Sequence, residues 1–384
     1  MKYRTLQVII SLSVRLGIVH LIDVSPKGRI TQFAERIEPL IRRKFFRHKI
    51  APPILIAVLP TPAPNEALER FFSKHVFFFS KEDNRWFPRH IRGSFHSFKR
   101  PPGFLLRLTK RPGSPWEMRP SGPRDNEWVV ETNELLKLLG VEEDRPYVLF
   151  GLRGSPYYEA IRAELGDDAG PETLPDTYVR NPDPVSYLSA VKKLNELGFA
   201  VIYFGVHAPR LPETFSQYVV DYANRFRTPR GDLLLGHRCT FLLTGGAGVW
   251  PFASIFNRPV AYSNTYIPFY GGYASGDRFT PQLLFSQTEQ RLLTFREMVE
   301  TGSKYSFQSN CVRDRITRQK NSSEEILDHV LEMVQLLNGT FITSPDDCLL
   351  HQQFSTIQVL SPPPVECHGK ISTTFLRRYA YLLD

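Results

Sequence analysis

The chain has 384 residues, 42% apolar and 23% charged, a composition that argues against disorder and supplies apolar residues for two cores of ordinary size. Its net charge of +9 belongs wholly to the first half: residues 1–150 hold 26 Lys and Arg against 15 Asp and Glu, whereas residues 151–384 hold 22 against 24. Four scattered cysteines (Cys239, Cys311, Cys348 and Cys367) have no CxxC spacing, which argues against a zinc site or disulfide framework and fits a reducing compartment.

The basic excess is densest at "RRKFFRHK" (42–49), a patch suited to phosphate, acidic glycan or an anionic membrane face. With no zinc-finger spacing and no recognition helix to place, nucleic acid is not the expected partner. The apolar segment "LQVIISLSVRLGIVHLI" (6–22) is interrupted by Arg15, is shorter than the ~20 residues a span needs and precedes no cleavage site. It reads as a buried first strand, "LQVIISL" (6–12), running into a loop, with peripheral membrane contact left open.

"ITQFAERIEPLIRRKFF" (30–46) places Phe33, Ile37, Leu40, Ile41 and Phe45 on one helical face. A strand at 54–60, a helix at 65–75 with Asn65 as its cap, and a strand at 76–80 follow. From 99 to 125 the chain is rich in Pro, Gly and basic residues and reads as an irregular loop. Alternation resumes with a helix at 132–140, a strand at 147–153, a helix within 181–198 and a strand at 200–205. Then come a helix at 215–223, a strand at 240–245, a helix within 248–257 and a strand at 259–264. "NSSEEILDHVLEMVQLLNG" (321–339) carries the best helix signature, with Ser322 and Glu325 as a capping-box pair and Gly339 as its stop. Such alternation predicts an α/β fold of two Rossmann-like domains facing a cleft. The expected limits are 1–125, 126–340 and a weakly patterned tail at 341–384 that packs back on the N-terminal domain.

Three stretches point to chemistry. In "LLTGGAGVWPFASIF" a strand ends near Thr244 and a helix begins near Gly248 or Val249, so Gly245, Gly246 and Gly248 form either a tight packing turn or a cradle for a diphosphate. Pro251 breaks the dinucleotide fingerprint, and no Gly-Lys-Ser/Thr follows as in a P-loop. In "LRGSPYY", Arg153 follows a strand; in "YVRNP", Arg180 and Asn181 precede a helix. Two arginines on two such rims could neutralise a phosphate. Asp221, Asp232, His207 and His237 are candidate acids or bases of weaker standing, His237 reading better as a packed histidine. No nucleophile elbow, HExxH or paired carboxylates occur, which favours transfer from a diphosphate-activated donor.

These stretches resemble, in order, a family of bacterial glycosyltransferases found with surface-polysaccharide genes, of the two-Rossmann GT-B type. "KGRITQFAERIEPLIRR", "NEALERFFSKHV", "LRGSPYY", "YVRNPDPVSYLSAVKKLNELGFAVIYFG", "VVDYA", "GDLLLGHRCTFLLTGGAG", "NRPVAYSN", "LLTFREMVETG" and "NSSEEILDHVLEM" carry the resemblance, from about 28 to 339. It implies donor binding by the C-terminal domain, with Arg153, Arg180, Asn181, Thr244, Gly245, Gly246, Gly248 and Asn264 around the donor, and an acceptor at the N-terminal domain. Departures bear on activity: Thr31-Gln32 stands for Gly-His, Gly154 for an acidic residue, Tyr203 for an arginine and Gln287 for a lysine.

The expected function is thus metal-independent, cofactor-free transfer of a sugar from a nucleotide-diphosphate donor to a glycan or lipid-linked acceptor. Asp23 is the candidate base. The expected setting is cytoplasmic, with peripheral contact at the inner face of an anionic membrane. The alternatives are a non-catalytic nucleotide- or glycan-binding member and another enzyme of this fold, such as an epimerase.

Overall fold

The computed structural model describes residues 12–13, 19–23, 29–47, 54–59, 63–80, 126–166, 174–266, 272–358 and 368–383. The chain divides into two compact units, Met1–Pro123 and Arg124–Asp384. The Pro-rich stretch 99–125 lies outside the described residues. Among the described residues no helix is long and apolar enough to cross a membrane.

The first unit runs β1 (Val19–Asp23), α1 (Ile30–Arg47), β2 (Ile54–Leu59), α2 (Glu66–Ser73) and β3 (Val76–Ser80). The three strands are parallel in the order β1-β2-β3, as strand–helix alternation requires. Helix α1 buries Ile30, Phe33, Ala34, Ile37 and Ile41, and the Phe33 ring lies 5.8 Å from those of Phe72 and Phe78. Asn65 caps α2 by accepting the Leu68 amide at 2.8 Å. The strand expected at 6–12 lies outside the described residues except for Leu12. Residues 12–13 are helical, the rest of 6–18 lies outside the described residues, and the strand is Val19–Asp23. Val19–Asp23 is a strand because it pairs with Ile54–Val58, and composition carries no record of that partner.

The second unit begins with α3 (Asn126–Leu138), β4 (Tyr147–Leu152), α4 (Ser155–Leu165), α5 (Leu188–Glu196), β5 (Ala200–Tyr203) and β6 (Val220–Asp221). Next come α6 (Tyr222–Arg225), α7 (Pro229–Arg238), β7 (Phe241–Gly245), α8 (Pro251–Ser254), β8 (Val260–Thr265) and β9 (Arg278–Pro281). The remainder is β10 (Leu283–Ser286), β11 (Arg291–Leu292), α9 (Phe295–Thr301), α10 (Gln308–Arg313), β12 (Ile316–Gln319), α11 (Ser323–Leu337), α12 (Pro345–Gln358), β13 (Lys370–Ile371) and α13 (Thr373–Arg378).

Seven parallel strands form its main sheet in the order β13-β9-β8-β7-β4-β5-β6. Every residue of β4, β5, β7 and β8 is buried, the mark of a parallel sheet covered on both faces. One face packs Phe150, Tyr203 and Leu243 against Tyr187 and Leu194, and against Ile326, Val330 and Met333 of α11. The chain winds outward from β4 in one direction through β5 and β6, then in the other from β7. The strand order reverses between β4 and β7, and doubly wound sheets bind ligands at the carboxyl ends of the strands at such a point. Beside this sheet, β11-β10-β12 form a small antiparallel one.

The expected α/β class holds for the sheets of both units. One local expectation does not. Of residues 215–223 only Tyr222 and Ala223 are α-helical: a 3-10 turn at Glu213–Phe215 buries Phe215, and Val220–Asp221 then pairs with β5 as the sheet edge. The stretch 341–384 is part of the second unit, where β13 extends the main sheet beside β9. Glu332 of α11 anchors α13 there, accepting the Thr373 and Thr374 amides at 2.9 Å and the Ser372 hydroxyl at 2.6 Å.

Candidate anion-binding site at the switch point of the sheet

Arg153 leaves the carboxyl end of β4, and its amide donates to Gly245 O at the end of β7 (3.0 Å), so it stands at the switch point. Its side chain is 4% exposed. One Nη donates to Asn181 Oδ1, the other to Thr177 Oγ1 at 3.0 Å, and the guanidinium lies 4.1 Å from the centre of the Tyr158 ring. Burial lowers its pKa, Tyr158 opposes the fall and neighbouring Arg180 adds to it. A guanidinium shifted so remains a cation at neutral pH.

Arg180 ends a 3-10 turn at Pro175–Arg180 and is 6% exposed. Its Nε donates weakly to Thr177 O (3.3 Å), and its guanidinium lies 4.6 Å from the Tyr266 ring centre. Its two Nη groups have no hydrogen-bond partner among the described residues. The nearest acid of the turn, Asp176, is engaged by the amide and hydroxyl of Ser309, each at 2.7 Å.

A third arginine, Arg318 of β12, is 9% exposed. Burial, countered by Cys311 and reinforced by Arg180, pushes its pKa down to about 10. None of the three arginines forms an ion pair with a carboxylate among the described residues. Elsewhere buried charges are matched, as in Arg42–Glu38 at 2.6 Å and Arg227–Asp232 at 2.7 Å. Burying cations without counter-charge opposes folding. A cluster of this kind at the switch point of a sheet makes a candidate site for an anion that brings the missing charge.

The glycine stretch contributes backbone shape. Gly246 has φ +68, and a Cβ there would sit 3.7 Å from Arg153 Cβ. Gly245 answers a packing demand, since a Cβ would collide with the Tyr187 hydroxyl and approach Leu152 at 2.8 Å and Pro182 at 3.0 Å. Gly248 lies exposed in the turn that follows. The helix expected from Gly248 is the single turn α8, starting at Pro251, too short to supply a useful dipole. Positive charge at this switch point therefore comes from side chains.

The other sequence-derived residues fall in different places. Asn181 is in the site and holds Arg153. Thr244 is fully buried, and its hydroxyl bridges the amide and carbonyl of Ala247 at 3.2 Å, closing the glycine turn. Asn264 is also buried: its amide donates to Tyr187 Oη (2.9 Å) and accepts the Asn321 amide (2.8 Å). Both polar ends of its side chain are thus spent within the protein.

Asp221 caps α6, and Asp232 is bound by Arg227 and Tyr222. His237 packs edge-on against Trp128 and Phe256, with its pKa lowered by burial and then by Arg258 and Arg238. His207 is exposed at the carboxyl end of β5 with φ +46, two residues from Pro209, whose ring lies against Gly154. Asp23 closes β1 opposite Val58, and its side chain lies outside the described residues.

Sequence reasoning missed Arg318, Tyr158, Tyr266 and Gln282. A signal existed for Arg318: β12 alternates buried and exposed residues, which puts this arginine on the inward face with Ile316.

No family model and no curated protein matches this chain. Among solved structures, the ADP-heptose LPS heptosyltransferase II of E. coli is similar at 12% identity and a TM-score of 0.43, over 83% of this chain and 99% of that one. The glycosyl transferase family 9 protein of Veillonella parvula is similar at 10% identity and a TM-score of 0.37, over 64% and 79%.

Proposed function

We propose that this chain transfers a sugar from a nucleotide-diphosphate donor to a glycan or lipid-linked acceptor in surface-polysaccharide assembly. The observation that carries the reading is the pair Arg153 and Arg180, buried at the switch point with no counter-ion, and no hydrogen-bond partner for the Arg180 Nη groups, among the described residues. In such a transfer the bond from the anomeric carbon to the diphosphate oxygen breaks while the acceptor hydroxyl attacks that carbon. The diphosphate leaves with the bonding electrons and the hydroxyl proton passes to a base. Arginines that meet the growing charge on the leaving group do the work a metal ion would otherwise do. Asp23 is the proposed base, and removing a general base costs roughly 10²–10⁴-fold in rate. Thr244 and Asn264 shape the site from behind, and Gly248 stays at its rim. The basic N-terminal half suits an anionic acceptor or the cytoplasmic face of a membrane.

Thermal unfolding with nucleoside diphosphates tests the reading. A ligand at 100 times its Kd stabilises the fold by about 2.7 kcal/mol, a rise of several degrees. No shift with any nucleoside diphosphate at millimolar concentration overturns it.

One observation favours a second reading, a member that binds donor without turnover. The family's acidic residue is Gly154 here, and a Cβ at this position would lie 2.7–2.9 Å from the Pro209 ring, so the lost carboxylate has no room to return. Labelled nucleotide sugars separate the two: released nucleoside diphosphate and a glycosylated product support the transferase, and tight binding without either supports the binder.

A further inference from the structure

Arg318 is a buried cation whose three hydrogen bonds all go to neutral oxygens. Its Nε donates to Gln282 Oε1 at 2.6 Å, one Nη to Tyr305 O at 2.6 Å and the other to Tyr266 O at 3.0 Å. Two of these acceptors belong to the supports of Arg180. The Tyr266 ring is the surface on which the Arg180 guanidinium lies, and Gln282 extends its Nε2 towards Arg180 O at 3.5 Å. Arg318 thus holds the main-chain carbonyl of Tyr266, the residue whose ring lies under Arg180, and the Gln282 side chain reaching Arg180 O. A neutral side chain could hold these oxygens at lower desolvation cost. A cation is justified where its field reaches an anion, and Arg318 already feels the charge of Arg180, which has no carboxylate partner among the described residues.

We infer that Arg318 is a positioning residue of the anion site, which holds Arg180 and Tyr266 in place and adds a third positive charge for a ligand carrying at least two negative ones. The inference rests on the donor-site reading given above. A consequence is that the empty site carries repulsion which a dianion relieves and a monoanion relieves only in part.

The test measures the Kd of inorganic pyrophosphate, and of acetate as the monoanion, by calorimetry at several salt concentrations. It uses the wild-type chain, Arg318→Lys, Arg318→Met and, as benchmark, Arg180→Ala. Loss of a buried cation near the ligand is expected to weaken pyrophosphate binding roughly tenfold in Arg318→Met and to flatten its salt dependence. Arg318→Lys keeps the charge and loses the fork, so its salt dependence should match wild type while its Kd lies between the two. Wild-type Kd and salt dependence in Arg318→Met overturn the inference. So does weaker binding with an unchanged salt slope, because that describes a loosened fold alone. Should Arg318→Met fail to fold, Arg318→Gln takes its place as the neutral variant: a raised Kd with a flatter salt slope supports the inference, and a wild-type Kd or an unchanged slope overturns it. Failure of wild type to bind pyrophosphate at millimolar concentration sinks the donor-site reading itself, an outcome separate from any difference among the variants.

Discussion

Gly245 and Gly246 are neighbours that lack a side chain for different reasons, and substitution separates them. At Gly246 a Cβ meets only ordinary contacts, but φ +68 disfavours any L side chain, so Gly246→Ala should cost about 1 kcal/mol. At Gly245 the added carbon has no space between Tyr187, Leu152 and Pro182, and Gly245→Ala should cost about 3 kcal/mol. Urea unfolding of the two variants checks the order, and equal losses would contradict it. Gly246→Val places branched bulk beside Arg153 and should abolish the nucleotide-induced thermal shift while leaving a cooperative unfolding transition. "TGGAG" alone left a packing turn and a phosphate cradle both open. Gly245 answers the packing half, because a Cβ there meets atoms from β4 and from the segments before α5, and no local pattern encodes such distant neighbours; the cradle half is what the Gly246 variants test.

At the scale of elements, α11 shows what a sequence can and cannot say. Its capping box, Ser322 with Glu325, is local and was readable. Its inner face also carries His329, fully buried, with neither ring nitrogen hydrogen-bonded. Burial pushes its pKa down to about 4, against the pull of Glu332 and with a further push from Arg278. An unfolded chain binds the proton at about pH 6.5, while the folded chain refuses it until about pH 4, so stability is lost as pH falls through that window. The unfolding midpoint should drop between pH 7 and 5, and His329→Leu should make that drop shallower. An identical slope in the variant would contradict the assignment. Sequence spacing places His329 on α11, but its burial depends on α11 packing against the main sheet. For a similar reason residues 215–223 looked helical: Val220–Asp221 is a strand only because β5 lies beside it.

For the molecule as a whole, strand order was the part least open to sequence reading. Alternating strands and helices announced parallel sheets, but which strand neighbours which is fixed by the crossovers. That order is what brings Arg153 to Gly245 and makes a switch point of the β4 and β7 ends. The second unit has its own core, from Val148 to Val334, and holds all three arginines of the site. Residues 124–384 expressed alone should therefore unfold cooperatively and bind pyrophosphate with a Kd near that of the whole chain. Loss of both properties would show that the first unit is needed to build the site. The place of β13 has a consequence for how the chain comes to be folded. This strand joins β9 from far along the sequence, and Glu332 cannot anchor α13 before Ser372 to Thr374 have left the ribosome. Until then the β9 edge stays bare and the buried Glu332 carboxylate has Arg278 of β9, at 3.7 Å, but not the hydroxyl and amides of 372–374. A nascent chain stalled before residue 370 should accordingly expose a sticky strand edge, recruit chaperones and be more easily cut by protease than the released protein.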